Sequence, residues 1–231
     1  MFIIGSLVNG IAVVIGALLG TLLARIPQGI KGTVMHTIGL AVIVLGLQMG
    51  LKSENFLLVI ISLVSGALIG ELIKIDDRLN HLGSWLESKV GSSGSGSVSQ
   101  GFVTATLIFV IGAMGVIGAL DSGIRGNHDV LYTKSLIDGI TALILTTTLG
   151  IGVAFSAIPV FLYQGIIALF ATQIDQFVSQ EWMDKFILEM TSVGGIMIFA
   201  IGLNLLSVTN IRVANLLPAI ALVGIFVTVW P

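Results

Sequence analysis

The stretch Phe102–Leu120, FVTATLIFVIGAMGVIGAL, decides the fold class. It runs nineteen residues without a single charge. As a helix rising 1.5 Å per residue it spans a hydrocarbon core of about 30 Å. A soluble domain has no use for an element so long and so apolar. Comparable stretches occur at Ile3–Leu23, Val34–Gly50, Phe56–Ile73, Ser135–Phe155, Leu188–Leu206 and Val213–Val229. The chain therefore reads as an all-α, polytopic helical membrane protein with seven or eight transmembrane helices. Its solvent and first partner is the lipid bilayer.

Composition agrees. The 231 residues are 55% hydrophobic and 10% charged, with a mean hydropathy of +1.09, whereas soluble domains carry about 25% charge. A net charge of −2 offers no basic surface for nucleic acid. The absence of cysteine excludes disulfides, thiolate metal sites and cysteine nucleophiles. The start, MFIIGSLVNG, has no basic residue before its apolar run, so the first helix is expected to remain in the mature protein.

Two segments do not fit simple spans. IDDRLNHLGSWLESKV places Ile75, Leu79, Leu82, Leu86 and Val90 at spacings of three and four, the pattern of an amphipathic helix on the membrane surface, with Trp85 as an interfacial anchor. The second lies near 157–186, where Pro159, Gln164 and Gly165 interrupt an apolar run, and a re-entrant or broken segment is expected there. The linker GSSGSGSVSQ then divides the chain into an N-terminal repeat of three spans (1–74), an interfacial helix with linker (75–100), and a fourth span plus C-terminal repeat (101–231).

The repeat itself rests on two matches. GSLVNGIAVVIG from Gly5 and KSLIDGITALIL from Lys134 share Ser6/Ser135, Leu7/Leu136, Gly10/Gly139, Ile11/Ile140 and Ile15/Ile144, with Asn9 opposite Asp138. GLAVIVLGLQM from Gly39 and GIMIFAIGLNL from Gly195 share Gly39/Gly195, Gly46/Gly202 and Leu47/Leu203, with Gln48 opposite Asn204. Helix 1 and its mate near Asp138 run the same way if three spans separate them. A single duplication then requires 157–186 to make no net crossing. Transporters commonly place their sites between such repeats. The loop charges Arg25, Lys31, Lys74, Arg78 and Lys89, against Lys52, Arg125 and Lys134, favour an outside N-terminus.

Few residues can carry chemistry. An aspartate in a span costs about 2.5–3.5 kcal/mol on insertion scales and normally faces a cavity or a partner, which singles out Asp138. It binds a cation or proton, or else it caps its helix about one turn inside the membrane. Asn9 is its mate and could share one oxygen-lined site with it. Thr146 and Thr147 could add hydroxyls below Asp138, or could bond their own backbone carbonyls. Gln164 could line a pore. Ser6, Ser135, Gln48 and Asn204 are secondary polar candidates. Lys134 is placed in the loop before the helix, directed away from Asp138. His36, His81 and His128 show no metal-ligand spacing. No metal, cofactor or catalytic residue is expected, and no nucleophile–base pair, phosphate loop or nucleotide fingerprint appears. The pairs Gly16/Gly20, Gly46/Gly50 and Gly66/Gly70 let helices approach closely.

SLVNG near the start, GFVTATLIFVIGAMGVIGAL, KSLIDGITALILTTTLGIGVAFSAIPVFLYQG and GGIMIFAIGLNLL together resemble the YqgA/YdfK-type family of uncharacterised bacterial inner-membrane proteins. That resemblance implies a multi-pass protein of the bacterial plasma membrane, described as a possible transporter, and brings no functional residues with it. The expected function is a transporter or channel for a monovalent cation, a proton or a small polar solute, with its pathway at the repeat interface. The alternative is a non-transporting scaffold or partner subunit assembled through glycine-rich helix faces. A homodimer is expected.

Overall fold

The computed structural model describes residues 2–23, 28–90 and 98–229. Arg25 and residues 91–97 of the glycine/serine linker fall outside the described residues. Ten α-helices follow in chain order among them: α1 (Ile4–Leu23), α2 (Gln28–Gly50), α3 (Phe56–Ile73), α4 (Ile75–Val90), α5 (Val98–Val110), α6 (Ala113–Ile124), α7 (Asp129–Leu149), α8 (Ala157–Phe177), α9 (Gln180–Leu205) and α10 (Pro218–Val229). Short 3-10 helices, Ile151–Ser156 and Val213–Leu216, lead into α8 and α10. No strand occurs among the described residues.

Six helices are long and apolar enough to cross a membrane: α1, α2, α3, α7, α8 with its 3-10 lead, and α9. The pair α5–α6 passes the same test together, and Val213–Val229 is a shorter apolar stretch. Burial along α1 shows the bilayer's influence. Its inner face is Gly5, Ser6, Asn9, Gly10, Val13, Gly16, Ala17 and Gly20, whereas Leu7, Ile11, Leu18 and Leu22 are exposed. In water this would be inside out. In lipid, small residues let backbones pack closely and the large apolar side chains face hydrocarbon.

Three elements differ from the sequence reading. Phe102–Leu120 is not one straight helix: α5 and α6 meet at a bend of 62°. Gly112 sits at φ +150 in that break, a conformation that side chains with a Cβ rarely adopt. The region near 157–186, by contrast, holds no sharp bend within its apolar part. Ala157–Phe177 is one continuous helix. Pro159 is its third residue, in the first turn, where the missing N–H has no intrahelical acceptor to lose. Finally, α7 begins at Asp129, six residues before Ser135, with His128 at the N-cap position. Lys134 thus leaves the loop charges and joins a span.

The described chain forms two compact units. The first combines 1–34, 80–110 and 114–177, and the second 35–79, 111–113 and 178–231. Each takes helices from both sides of the linker. In the first, Gly5 packs on Leu131, Gly16 on Gly139, and Gly20 on Leu143 and Thr146, so α1 and α7 run parallel. In the second, Gly39 packs on Gly202 and Leu206 while Gly46 packs on Gly195 and Phe199, so α2 and α9 run antiparallel. Gly66 on Ala219 and Gly70 on Asn215 make α3 and α10 antiparallel as well. A single duplication carries both matched pairs in the same sense. One parallel and one antiparallel pairing means that one duplication does not account for both matches. The parallel pairing of α1 with α7 also requires an odd number of crossings between them. If α2 and α3 each cross once, the bent pair α5–α6 counts as one span.

A buried ion pair at the centre of a candidate site

The register of α7 puts Lys134 and Asp138 one turn apart on one face, and the fold joins them. Lys134 Nζ lies 2.8 Å from Asp138 Oδ2 and 3.0 Å from Oδ1. Asn9 Nδ2, from α1, donates to Asp138 Oδ2 at 3.0 Å. The two aligned positions of the sequence match therefore touch. Lys134 is 7% exposed, Asp138 5% and Asn9 0%. The expectation that Lys134 points away from Asp138 is overturned, because a residue at i, i+4 on a helix shares its face.

Depth follows from the helix start. Asp138 lies nine residues beyond Asp129, about 14 Å along an axis of about 30 Å at 1.5 Å per residue. It lies mid-helix in a candidate span and does not cap α7. A charge there needs a partner, and Lys134 supplies it. The order of the pair is the less favourable one, since the acid-first arrangement suits the helix dipole better than lysine-first. Buried ion pairs are in any case weak contributors to stability, because desolvation offsets attraction.

In the first unit, the buried polar atoms with no hydrogen-bond partner within the chain are, among the described residues, Asn9 Oδ1, Ser6 Oγ, Thr106 Oγ1, Thr146 Oγ1, and both Nε2 and Oε1 of Gln164; Thr146 stands two turns beyond Asp138 on α7, beside Gly20. Ser6, Thr146 and Gln164 are all 0% exposed. Gln164 stands on the narrow buried stripe of α8, among Ala157, Val160, Ala168 and Ala171. The first turn of α6 reaches the same place. A Cβ on Gly115 would lie 3.5 Å from Tyr163 Cε1, 3.6 Å from Lys134 Cε and 3.8 Å from Gln164 Nε2. Asn9 and Lys134 thus converge on Asp138, and Lys134 and Gln164 converge beside Gly115.

Other candidates separate from this cluster. Ser135 Oγ donates to Leu131 O at 2.6 Å, Thr147 to Ile144 O at 2.7 Å and Thr148 to Leu145 O at 3.0 Å, all local backbone bonds. Gln48 is exposed. Asn204 pins the turn after α9: its Nδ2 donates to Ile211 O at 2.7 Å, and its Oδ1 accepts from Thr209 Oγ1 and Ile211 N. An apolar groove of about 340 Å³ between α1 and α8, lined by Leu7, Ile11, Ile15, Ile158 and Leu162, offers no polar group and suits lipid chains.

The second unit shows a buried carboxylate used differently. Glu189 on α9 is 4% exposed. It accepts from Ser53 Oγ at 2.5 Å and from the Glu54 and Asn55 amides at 3.1 Å each, tying the α2–α3 turn to α9. Near the far end of α3, Glu71 accepts from Arg212 Nη1 at 2.7 Å and from Asn215 Nδ2 at 2.5 Å. Neither carboxylate has an unpartnered side-chain neighbour among those it bonds. Sequence reasoning missed Glu189, whose only signal was its place in an otherwise apolar run.

The chain is similar to an uncharacterised membrane protein, YdfK, of Bacillus subtilis (strain 168), at 29% identity over 94% of this chain and 92% of the relative. It is also 29% identical to an uncharacterised protein, YqgA, of Escherichia coli (strain K12), over 99% of this chain and 97% of the relative. No solved structure matches. The family model described as "Protein of unknown function (DUF554)" matches residues 4–228, and the chain belongs to that family.

Proposed function

We propose that this chain is a transporter or channel of the bacterial plasma (inner) membrane, that it moves an ion or small polar solute, and that its site is the Lys134–Asp138–Asn9 cluster of the first compact unit. The observation that supports this most is the mid-span ion pair beside the unpartnered amide of Gln164 and the unpartnered Oδ1 of Asn9. A bilayer penalises each such group, so a solute that pairs with them offsets a cost the empty site carries. Lys134 already neutralises Asp138, so a bare monovalent cation would have to displace an ammonium. A proton on Asp138 would likewise leave Lys134 without its counter-charge, whereas a solute that hydrogen-bonds the amides meets no such barrier.

The scaffold alternative loses its surface. Gly16, Gly20, Gly46, Gly66 and Gly70 are each pressed against another helix of the same chain. They are not available as outward faces for a partner.

The test is solute movement by the purified chain in sealed proteoliposomes, using labelled carboxylates, amino acids and sugars together with sodium and proton flux dyes. At least one should cross faster than in protein-free liposomes, and Asp138→Asn should reduce that flux at least tenfold. If no solute or charge moves although the protein is folded and inserted, the transporter reading fails.

A further inference from the structure

We infer that the first turn of α6, with Lys134 and Gln164, recognises a small carboxylate, and that Asp138 is the internal counter-ion that holds Lys134 until the carboxylate arrives. The inference rests on the transporter reading above and deepens it by naming the solute class.

The argument begins at the break in the α5–α6 span. A helix that restarts inside a membrane exposes first-turn amides with no acceptor in their own helix. In α6 these include Met114, Gly115 and Val116. Aligned peptide dipoles give such an end about half a positive charge, which makes it an anion site. Broken spans in transporters use this end to hold the anionic groups of solutes.

Two further observations direct a ligand to this end. Gln164 is fully buried, both atoms of its amide lack a partner, and its Nε2 lies 3.8 Å from the point where a Gly115 Cβ would stand. Lys134 Cε lies 3.6 Å from the same point. An ammonium-bearing stem, a donor amide and a helix N-terminus thus meet on the flank of α6 that Gly115 leaves without a side chain, and a carboxylate gains room there as Lys134 parts from Asp138. The ensemble is electropositive. Lys134 and Asp138 cancel, and the helix end adds its partial positive charge. The preferred guest is an anion. A carboxylate's two oxygens match an amide donor on one side and an ammonium on the other. An arriving carboxylate competes with Asp138 for Lys134, so binding and loosening of the internal pair are linked.

The test is equilibrium binding of labelled acetate and succinate to the full chain in lipid nanodiscs, with labelled phosphate and chloride as comparisons. One or both carboxylates should bind saturably. Lys134→Gln and Gln164→Leu should weaken that binding at least tenfold. Asp138→Asn should tighten it several-fold, because Lys134 is released, even though the same change stops transport. Gly115→Ala keeps a folded variant in play. Its methyl meets only ordinary contacts at 3.5–3.8 Å, and alanine favours helix over glycine. It should leave thermal unfolding unchanged or raised and still weaken binding several-fold by filling the space. Absence of saturable carboxylate binding to folded protein, a preference for phosphate or chloride, or unchanged binding in both Gln164→Leu and Gly115→Ala overturns the inference. Transport of some other solute without carboxylate binding would refute this inference alone. Carboxylate binding without transport would refute the transporter reading and leave the site standing.

Discussion

Removing half of the Lys134–Asp138 pair should cost far more than removing all of it. In Asp138→Leu, Lys134 is left at 7% exposure without the carboxylate that pairs it. Breaking one side of a buried pair typically destabilises by about 3–5 kcal/mol. Lys134→Met leaves Asp138 with only the Asn9 amide and should cost a similar amount, about 3–5 kcal/mol. If the two sites were independent, the double variant would lose the sum, about 6–10 kcal/mol. A well-packed apolar replacement of a buried pair is instead neutral or stabilising by about 1–4 kcal/mol. Against this, Asn9 Nδ2 loses its acceptor at 3.0 Å, a penalty of about 1–3 kcal/mol for an unsatisfied buried donor. The double variant should therefore lie within about 3 kcal/mol of the parent, and Asn9→Leu added to it should recover the difference. The assay is reversible unfolding in bicelles for the parent, both single variants, the double and the triple. Had Asp138→Leu alone cost less than about 1 kcal/mol, Lys134 would have another route to solvation and the buried pair would be the wrong description. A double variant as unstable as the sum would refute the coupling.

Three further outcomes follow from the packing. In Gly16→Ala the new methyl collides with the carbonyl of Gly139, a backbone atom that cannot swing away. Forced overpacking of this kind should cost about 1–3 kcal/mol in the same unfolding assay. Glu189→Ala strands three donors, Ser53 Oγ and the Glu54 and Asn55 amides. It should cost about 1–3 kcal/mol and raise amide exchange at Glu54 and Asn55, while Arg212→Ala at the exposed Glu71 pair should cost at most about 1 kcal/mol. The chain has no cysteine, so single cysteines report sidedness directly. Lys52→Cys and Asn127→Cys should label from one side of sealed vesicles and Ser88→Cys from the other. Equal labelling of Ser88→Cys and Asn127→Cys would mean that α5–α6 does not cross.

How far the sequence carried depends on what each feature answers to. Span length and apolarity answer to bilayer thickness alone. Phe56–Ile73 is therefore found with the bounds the sequence gives, and Ile3–Leu23 within one residue. Bends answer to backbone conformation. Pro159 looked like a breaker because it is one in a helix interior, but at the third residue of α8 it is harmless. The real break falls in VIGAMG, where nothing but Gly112 signals a φ of +150. The start of α7 was misjudged for another reason. Tyr132 and Lys134 are polar enough to read as a loop, and only the carboxylate one turn later explains why a lysine can enter the span. Asn9 and Asp138 were legible because the same short match aligned them. The Gln164 site was half legible: the residue was noticed, but its neighbours Gly115 and Lys134 come from two other helices, and no local spacing connects them.

The two compact units separate a structural use of polarity from another use. In the second, every carboxylate singled out above ends a chain of donors. Glu189 takes three and Glu71 takes two from side chains opposite it, and Asn215 Oδ1 accepts from the Asp76 amide at 2.8 Å. Such networks tie turns to helices, and the one buried side-chain polar atom without a partner among the described residues of that unit is the small hydroxyl of Ser62. In the first, the carboxylate is held by an ammonium and an amide, and the surplus lies around it: an acceptor on Asn9, both atoms of the Gln164 amide, and the start of a helix that its own span has broken. A bilayer makes each unsatisfied group more costly than water does. If the cluster were only a fastener, Leu at Gln164 and an apolar pair at Lys134 and Asp138 would serve better. Its presence in this form is intelligible if a second molecule completes it.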